Sequence, residues 1–386
     1  MKTIRYGQQF IDENDIQAVI DVLNSDFLTC GPAVEKFEKA IAEYTQSKYA
    51  IAVCNATAGL HLACLALGLS TEDTLWTSPN TFVASANCAL YCGSKVDFVD
   101  IDPRTYNLSV SALASKLKQA QKENRLPKVV VPVHFAGMSC DMAEINQLSK
   151  EYGFRVIEDA SHAVGGKYLG KPVGNCEYAD FAVFSLHPVK IITTGEGGVV
   201  LTNNTELYEK VKFLRSHGVL RNKHLSDTVG PWYYELIELG YNYRITDLQC
   251  ALGWSQLTKI ENFVKRRHEL ALRYDQHLQD LPLQRPIYRS ADSYSALHLY
   301  PILVEENKHG KTRREVFDAL VERGIGVNVH YIPVHTQPLY QRMGFKEQDF
   351  PQAVDYYTKA ISLPMHYGLT DQEQDHIIKS LYEILL

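Results

Sequence analysis

Phe181-Ala-Val-Phe-Ser185-Leu-His187-Pro-Val-Lys190-Ile-Ile-Thr193-Thr-Gly195-Glu-Gly-Gly198 is the stretch on which the fold turns. It opens as an apolar run of β-branched and aromatic residues, the pattern of a buried strand. It passes one lysine and enters Thr193–Gly198, too rich in turn residues for helix or strand. Val199-Val-Leu-Thr202 then begins a second strand. A lysine between two buried strands either snorkels its ammonium to water or stands in a cleft. In a cleft, desolvation lowers its pKa and makes it a nucleophile able to form a Schiff base with an aldehyde. Which of these applies to Lys190 depends on what the rest of the chain brings to it.

Upstream, short apolar strands alternate with helices. Tyr49–Val53 is a strand and 57–67 a helix closed by Gly68. Strands at 75–78 and 96–99 enclose a helix over 82–91, Ser109 caps a helix to about 124, and 129–133, 142–152 and 154–157 continue as strand, helix, strand. Such alternation implies parallel strands joined by crossover helices on both faces of a sheet, an α/β fold. Before it, Asp12 caps a helix bearing Ile16, Val19, Val22 and Leu23 on one face, and Pro32 opens another with Val34, Phe37 and Ile41 facing inward. After Arg244 the pattern changes. Residues 246–278 form one long charged helical stretch, 297–304 an alternating strand, 312–323 a helix ended by Gly324, 326–330 a strand, and 371–386 an amphipathic helix. The division expected is a large domain over 1–254 and a smaller α+β domain over 255–386, with the N-terminal arm, about 1–30, packing on the small domain.

The 386 residues carry a net charge of −6, with 45% hydrophobic and 22% charged, enough for an extensive core and unlike a general nucleic-acid binder. Eight scattered cysteines without a C-x-x-C pair suit a reducing compartment. The opening residues lack the apolar segment of a secretory signal and no run is long enough to cross a bilayer, so the expected location is the cytoplasm.

Further segments carry chemistry. Cys54-Asn55-Ala56-Thr57-Ala58 joins a core strand to its helix, and the small residues leave backbone N–H groups suited to a phosphate, or else Thr57 is an ordinary N-cap. No G-x-G-x-x-G is present, which disfavours a dinucleotide. Gly165–Lys171 has P-loop spacing, but Pro172 stands where a magnesium ligand belongs; 169–172 is better a surface hairpin turn. Glu158 and Asp159 end a strand where open α/β sheets bind ligands, with His162 three residues on, although Asp159 or Ser161 could equally be a helix cap. His330 and His335 lie five apart around Pro333, which is not zinc spacing. Gly240–Arg244 is a polar, aromatic loop before a helix.

Together these segments resemble the DegT/DnrJ/StrS sugar aminotransferases. The likeness runs from Asp12 to His366 on ordered motifs: Leu28-Thr-Cys-Gly-Pro32, Asn55-Ala-Thr-Ala58, Asn80-Thr-Phe82, Val131-Pro-Val-His134, Glu158-Asp-Ala-Ser-His162, Phe184–Lys190, Thr193–Gly198, Arg215-Ser-His-Gly218, Gly240–Arg244 and Val329–His335. The opening residues, Asp73–Asn80 and Phe184–Lys190 most resemble the family's pseudaminic-acid branch.

The resemblance implies an aspartate-aminotransferase-like fold (fold type I), with a mostly parallel seven-stranded sheet in an αβα sandwich, and a homodimer with shared active sites. It implies pyridoxal 5′-phosphate bound through Lys190 as a Schiff base, with Asp159 against the ring nitrogen, His162 near the ring hydroxyl and Phe82 on the ring face. Thr57, Ala58 and Ser185 would hold the phosphate, with Asn242 reaching over from the partner subunit. Tyr6, Thr29, His187, Arg244, His330 and Tyr331 would contact the sugar nucleotide or glutamate. The activity implied is transfer of an amino group from L-glutamate to C4 of a UDP-linked 4-keto-6-deoxy-N-acetylhexosamine. Cys30 and Leu186 depart from common family choices. The rival readings are an aminotransferase for another nucleotide 3- or 4-keto sugar, a dehydratase relative (disfavoured by Lys190), a nicotinamide enzyme, and a non-catalytic regulatory protein binding the cofactor or a sugar nucleotide.

Overall fold

The computed structural model describes residues 3–221, 223–305 and 310–386. Seven strands form the main sheet: β1 (Tyr49–Val53), β2 (Thr74–Thr77), β3 (Lys95–Phe98), β4 (Val129–Val131), β5 (Arg155–Asp159), and, after the hairpin of β6 (Lys167–Tyr168) and β7 (Lys171–Pro172), β8 (Phe181–Ser185) and β9 (Gly198–Thr202). Their order is β1-β9-β8-β5-β4-β2-β3. All neighbours are parallel except β9, which runs antiparallel to both β1 and β8. β9 can be reversed because a turn-rich loop, rather than a helix, connects it to β8. The strands are buried throughout their apolar lengths, as expected where helices cover both faces. The turn at Leu169–Gly170 lies between β6 and β7, a surface hairpin as the sequence implied.

The covering helices are α1 (Glu13–Leu23), α2 (Pro32–Thr45), α3 (Ala56–Ala66), α4 (Ala84–Tyr91), α5 (Val110–Lys122), α6 (Met142–Tyr152), α7 (Thr205–Arg215), the short α8 (Lys223–Val229), α9 (Asp247–Leu257) and α10 (Ile260–His277). α2 buries Val34, Phe37 and Ile41, as its spacing predicts. Its cap Gly31 offers no side chain; the carboxylate of Asp247 instead accepts the N–H groups of Gly31 and Ala33 at 2.7 and 2.9 Å. α1 differs from expectation. Its buried anchor is Asp15, whose carboxylate receives Ser255 Oγ at 2.6 Å and Gln256 Nε2 and Lys259 Nζ at 2.7 Å. Ile16 and Leu23 of its apolar face stay at the surface, continuous along the chain with exposed Phe27 and Leu28.

The stretch 246–278 is two helices rather than one: α9 ends at Leu257, Thr258 and Lys259 intervene, and α10 begins at Ile260. Beyond it, β14 (Tyr300–Val304) pairs with β12 (Leu283–Gln284) and β15 (Ala360–Leu363), and β13 (Ser293–Tyr294) returns to β6. β14 starts three residues later than its sequence pattern suggests and is buried on both faces, so it does not alternate. The expected strand over 326–330 reduces to single bridges, including Asn328 to Ser362. The helix Pro351–Lys359 and β15 carried no sequence signal strong enough to place them. Residues 270–385 build an apolar core of their own with Ile4, whose backbone pairs with Gly324 and Gly326. A hairpin of β10 (Val219–Leu220) and β11 (Glu235–Leu236) stands apart with Trp232, Leu236 and Leu239 exposed.

Removing the buried anchor of α1 tests this packing. Asp15→Ala leaves Ser255 and Gln256 without their acceptor and should lower unfolding free energy by about 2 kcal/mol, measured by urea denaturation.

Candidate active site

The antiparallel β9 brings three strand ends to one rim. Val53 of β1 pairs with Gly198, and Gly198 pairs with Ser185 of β8. A Cβ on Gly198 would lie 2.6 Å from the nitrogen of Ala56, so only glycine lets the start of α3 sit over the strand end. β5 ends beside β8, with Asp159 opposite Val183. At this rim opens a cleft of about 1040 Å³.

The structure brings Tyr6, Thr57, Ala58, Phe82, Asp159, His162, Ser185, His187, Lys190, His330 and Tyr331 to this cleft. It does not bring Thr29, Asn242 or Arg244 there. Thr29 and Asn242 are exposed, and Arg244 borders a separate cavity of about 740 Å³ with Arg215 and Glu38. His298, Glu196, Asn328, Thr81, His61 and Tyr243 also line the cleft. Thr81, Glu196 and Tyr243 lie inside motifs the sequence does offer and Asn328 adjoins one, so only their individual roles lacked a signal, whereas His61 and His298 belong to no recognisable local pattern.

Lys190 reaches the cleft from the turn after β8, its N–H donating to the carbonyl of His187 at 2.9 Å. Its Nζ lies 3.5 Å from His298 Nε2. Burial disfavours the ammonium and brings the pKa down to about 8, with the carboxylate of Asp159 partly opposing the shift. Half-buried and lining the cleft, Lys190 takes the second of the two placements the sequence allows.

Asp159 is buried, and its oxygens are held from two sides. Ser85 Oγ donates to Oδ2 at 2.6 Å and the Ser161 N–H to Oδ1 at 3.1 Å. Because Ser85 donates to the carboxylate, Thr81 Oγ1, 2.7 Å away, donates in turn to Ser85. The Ser161 N–H contact is an Asx-type turn, but no helix follows, so Asp159 is not a helix cap. One residue earlier, Glu158 pairs with buried His134 at 2.9 Å beneath the site.

His162 has a definite state. The backbone N–H of Ala136 donates to Nδ1 at 3.3 Å, so the ring proton is on Nε2, which donates to the Tyr331 hydroxyl at 3.0 Å. Burial, then Lys190 and His330, push its pKa well below the usual value, so it is neutral at pH 7. Burial also lowers His330 to about 3, with the Lys190 charge adding to the shift. Burial pushes the Tyr331 phenol up, with Asp159 reinforcing it. Tyr331 accepts from His162 and keeps its own proton for the cleft.

At the start of α3, Asn55 is the N-cap, not Thr57, with Oδ1 accepting the Ala58 N–H at 2.8 Å. The N–H of Ala58 is thus used within the helix, and those of Ala56 and Thr57 are the pair left open. With the hydroxyls of Thr57 and Ser185 they form an anion cradle at a helix N-terminus. Phe82, 60% exposed, turns an uncovered ring toward the same space. Among the described residues no cluster of three metal-ligating side chains occurs.

The residues fit pyridoxal 5′-phosphate: an anion cradle, an aromatic face, a carboxylate for a protonated ring nitrogen, and a desolvated lysine at one cleft. A sheet with one reversed strand, covered by helices, and this rim define an aminotransferase of fold type I. The chain belongs to the DegT/DnrJ/EryC1/StrS aminotransferase family, whose model matches residues 9–382; its cofactor is pyridoxal 5′-phosphate. It is 38% identical over 382 residues to the UDP-4-amino-4,6-dideoxy-N-acetyl-beta-L-altrosamine transaminase of Campylobacter jejuni, covering 99% of this chain and 97% of that protein. It is 39% identical over 385 residues to the spore coat polysaccharide biosynthesis protein SpsC of Bacillus subtilis, covering 98% and 96%. Among solved structures, the pseudoaminic-acid aminotransferase PseC of Helicobacter pylori superimposes with a TM-score of 0.90 at 34% identity, covering 100% of this chain and 99% of that one.

In the cofactor-free chain, Lys190 should react with small aldehydes at a rate that rises through about pH 8, while surface lysines titrate near 10.5. The unfolded chain holds this proton up to about 10.5, so stability should rise with pH between those values. Reductive methylation followed by peptide mass spectrometry checks the first, and denaturation at several pH values the second.

Proposed function

We propose that this chain transfers an amino group from L-glutamate to C4 of a UDP-linked 4-keto-6-deoxy-N-acetylhexosamine, giving a UDP-4-amino-4,6-dideoxy sugar for pseudaminic-acid synthesis. The observation that carries the catalytic part is the convergence of Lys190 and Asp159, from separate strand ends, beside an open pair of helix N–H groups. The sugar assignment is supported by the names of the Campylobacter and Helicobacter relatives. The cysteines, all eight free, suit an enzyme of the cytoplasm.

When bound, pyridoxal 5′-phosphate supplies an aldehyde through which the amino group is exchanged and an electron sink for the pair left when a proton leaves carbon. Lys190 would hold the cofactor, and its amine, when free, would accept a proton from carbon and return it as an ammonium. A pKa of about 8 keeps both forms accessible near neutrality. Asp159, fixed by Ser85 and Ser161, would keep the ring nitrogen protonated. Ala56 and Thr57 N–H, with the Thr57 and Ser185 hydroxyls, would hold the phosphate. Phe82 would cover a ring face, and neutral His162, which orders Tyr331, would face the ring hydroxyl. Tyr6, His187, His330 and Tyr331 face the space left for the sugar or glutamate. The division proposed is a cofactor-binding domain over 1–254 and a small domain over 255–386, supported by the separate apolar core of 270–385.

Thr29, Asn242 and Arg244 are not among the residues lining their own cleft, and apolar side chains on α1 and the β10–β11 hairpin lie uncovered. Both observations support a homodimer in which Asn242 completes the partner's phosphate site and Thr29 and Arg244 its substrate site. Each subunit then depends on the other for activity.

Offered UDP- and dTDP-linked 4-keto sugars with glutamate, the enzyme should aminate the UDP sugar at C4, identified by NMR. Amination at C3, or preference for the dTDP sugar, defeats the substrate assignment. Borohydride reduction should leave the cofactor's mass on the Lys190 peptide, and a colourless protein that traps none defeats the catalytic reading. Lys190→Ala mixed with Asn242→Ala/Arg244→Ala should recover about a quarter of wild-type activity through hybrid dimers; no recovery contradicts shared sites.

A further inference from the structure

One buried imidazole beside Lys190 has no part in that chemistry. His298 stands in the loop before β14, 3% exposed, with its ring centroid 4.4 Å from that of His162. Lys190 Nζ lies 3.5 Å from its Nε2, and an ammonium can meet that nitrogen only as donor. Nε2 therefore accepts, and the ring proton is on Nδ1. That Nδ1 is buried and has no hydrogen-bond partner among the described residues. A buried N–H without a partner is destabilising, so the ring's orientation is maintained against a penalty.

The fold holds His298 from several directions. The buried guanidinium of Arg267 donates from Nη1 to the carbonyls of Leu297, His298 and Met365 at 3.1, 3.2 and 2.8 Å. The His298 N–H donates to the Ala136 carbonyl at 2.9 Å, while the Ala136 N–H meets His162, so one residue ties both imidazoles. Gly137, at φ +100°, allows the approach: a Cβ there would lie 2.8 Å from the nitrogen of Leu297 and 3.1 Å from that of His298. Leu297 itself has φ 53°, unfavourable for a leucine, and its N–H donates to Ser295 Oγ at 2.9 Å.

We propose that His298 is a positioning residue for Lys190, a neutral acceptor that takes the hydrogen bond of the unbonded amine and fixes where its nitrogen points between the two halves of the exchange. The inference rests on Lys190 being the reacting amine and adds to that reading. Lining the cleft with Lys190 are Asp159 from β5, His162 after it, Glu196 from the loop before β9, His298, and His330 and Tyr331 from the opposite wall. Burial keeps the three imidazoles uncharged, and Asp159 is the carboxylate whose charge acts on the lysine. A carboxylate at 298 would add a second negative charge and hold the lysine as an ammonium, useless as a base. An imidazole orients the nitrogen without that effect.

The test uses the full chain loaded with pyridoxamine 5′-phosphate, where Lys190 is unbonded, and the same chain stripped of cofactor. Methylation of Lys190 by formaldehyde and cyanoborohydride is followed by peptide mass spectrometry from neutral to alkaline pH. His298→Asp should raise the midpoint by about one pH unit or more. His298→Gln, whose amide oxygen offers an acceptor, should leave it within about half a unit and keep most of kcat. His298→Leu should lower the midpoint and reduce kcat on the order of 100-fold with KM little changed. Unchanged midpoints in Asp and Leu overturn the proposal, as does a Gln variant that loses as much kcat as Leu while folding normally. If Leu does not fold, the Asp and Gln pair decides. A wild type that does not trap cofactor on Lys190 defeats the functional reading instead, which keeps the two failures apart.

Discussion

The half-buried position of Lys190 opposite the carboxylate of Asp159 is the interaction on which the rest of the cleft depends, and under the proposed role this lysine alternates between amine and ammonium. Water would leave it charged at neutral pH; an apolar pocket with no compensating charge would strip the proton altogether. Here burial pulls the pKa down and the carboxylate of Asp159 limits the fall, giving about 8. The neutral state of the surrounding imidazoles matters as much. His162 is held in one tautomer by the Ala136 N–H, so it presents a donor to Tyr331 and no net charge to the lysine.

That balance requires residues from distant chain segments to meet within a few ångströms, and the sheet provides the means. β5 and β8 are adjacent and parallel, so their carboxyl ends present Asp159 and Ser185 at the same rim. β1 reaches that rim because the antiparallel β9 separates it from β8, and two reversals restore the parallel sense. The start of α3 arrives over Gly198 with its open N–H groups, and the helix dipole favours an anion there. One reversed strand with a glycine at its start thus sets the lysine loop and the anion cradle side by side.

The opposite wall comes from chain beyond residue 290. His298, His330 and Tyr331 close over the lysine, and their placement depends on Arg267, on the bridge between Asn328 and Ser362, and on the Ile4 backbone bonded to Gly324 and Gly326. The N-terminal arm therefore tethers the first residues to the same body that carries half of the site.

The sequence alone determined the alternating α/β pattern and most strand positions, and it singled out Lys190, Asp159 and the 54–58 segment, which the fold brings to one cleft. Each of these is a local signal, an apolar run ending in a polar residue, and local signals survive without tertiary context. Other features were decided only when the chain folded. The stretch 246–278 divides into two helices at Thr258 and Lys259, and the ion pairs of Lys259 with Asp12 and Asp15 at that junction join residues far apart in the chain. Asn55, not Thr57, capped α3, since either side chain satisfies the local rule and only the backbone angles choose. His298 had no motif to announce it, being an isolated histidine before an ordinary strand. Its meaning is a 3.5 Å distance across 108 residues, and such a distance exists only once the strand ends and the opposite wall have packed together.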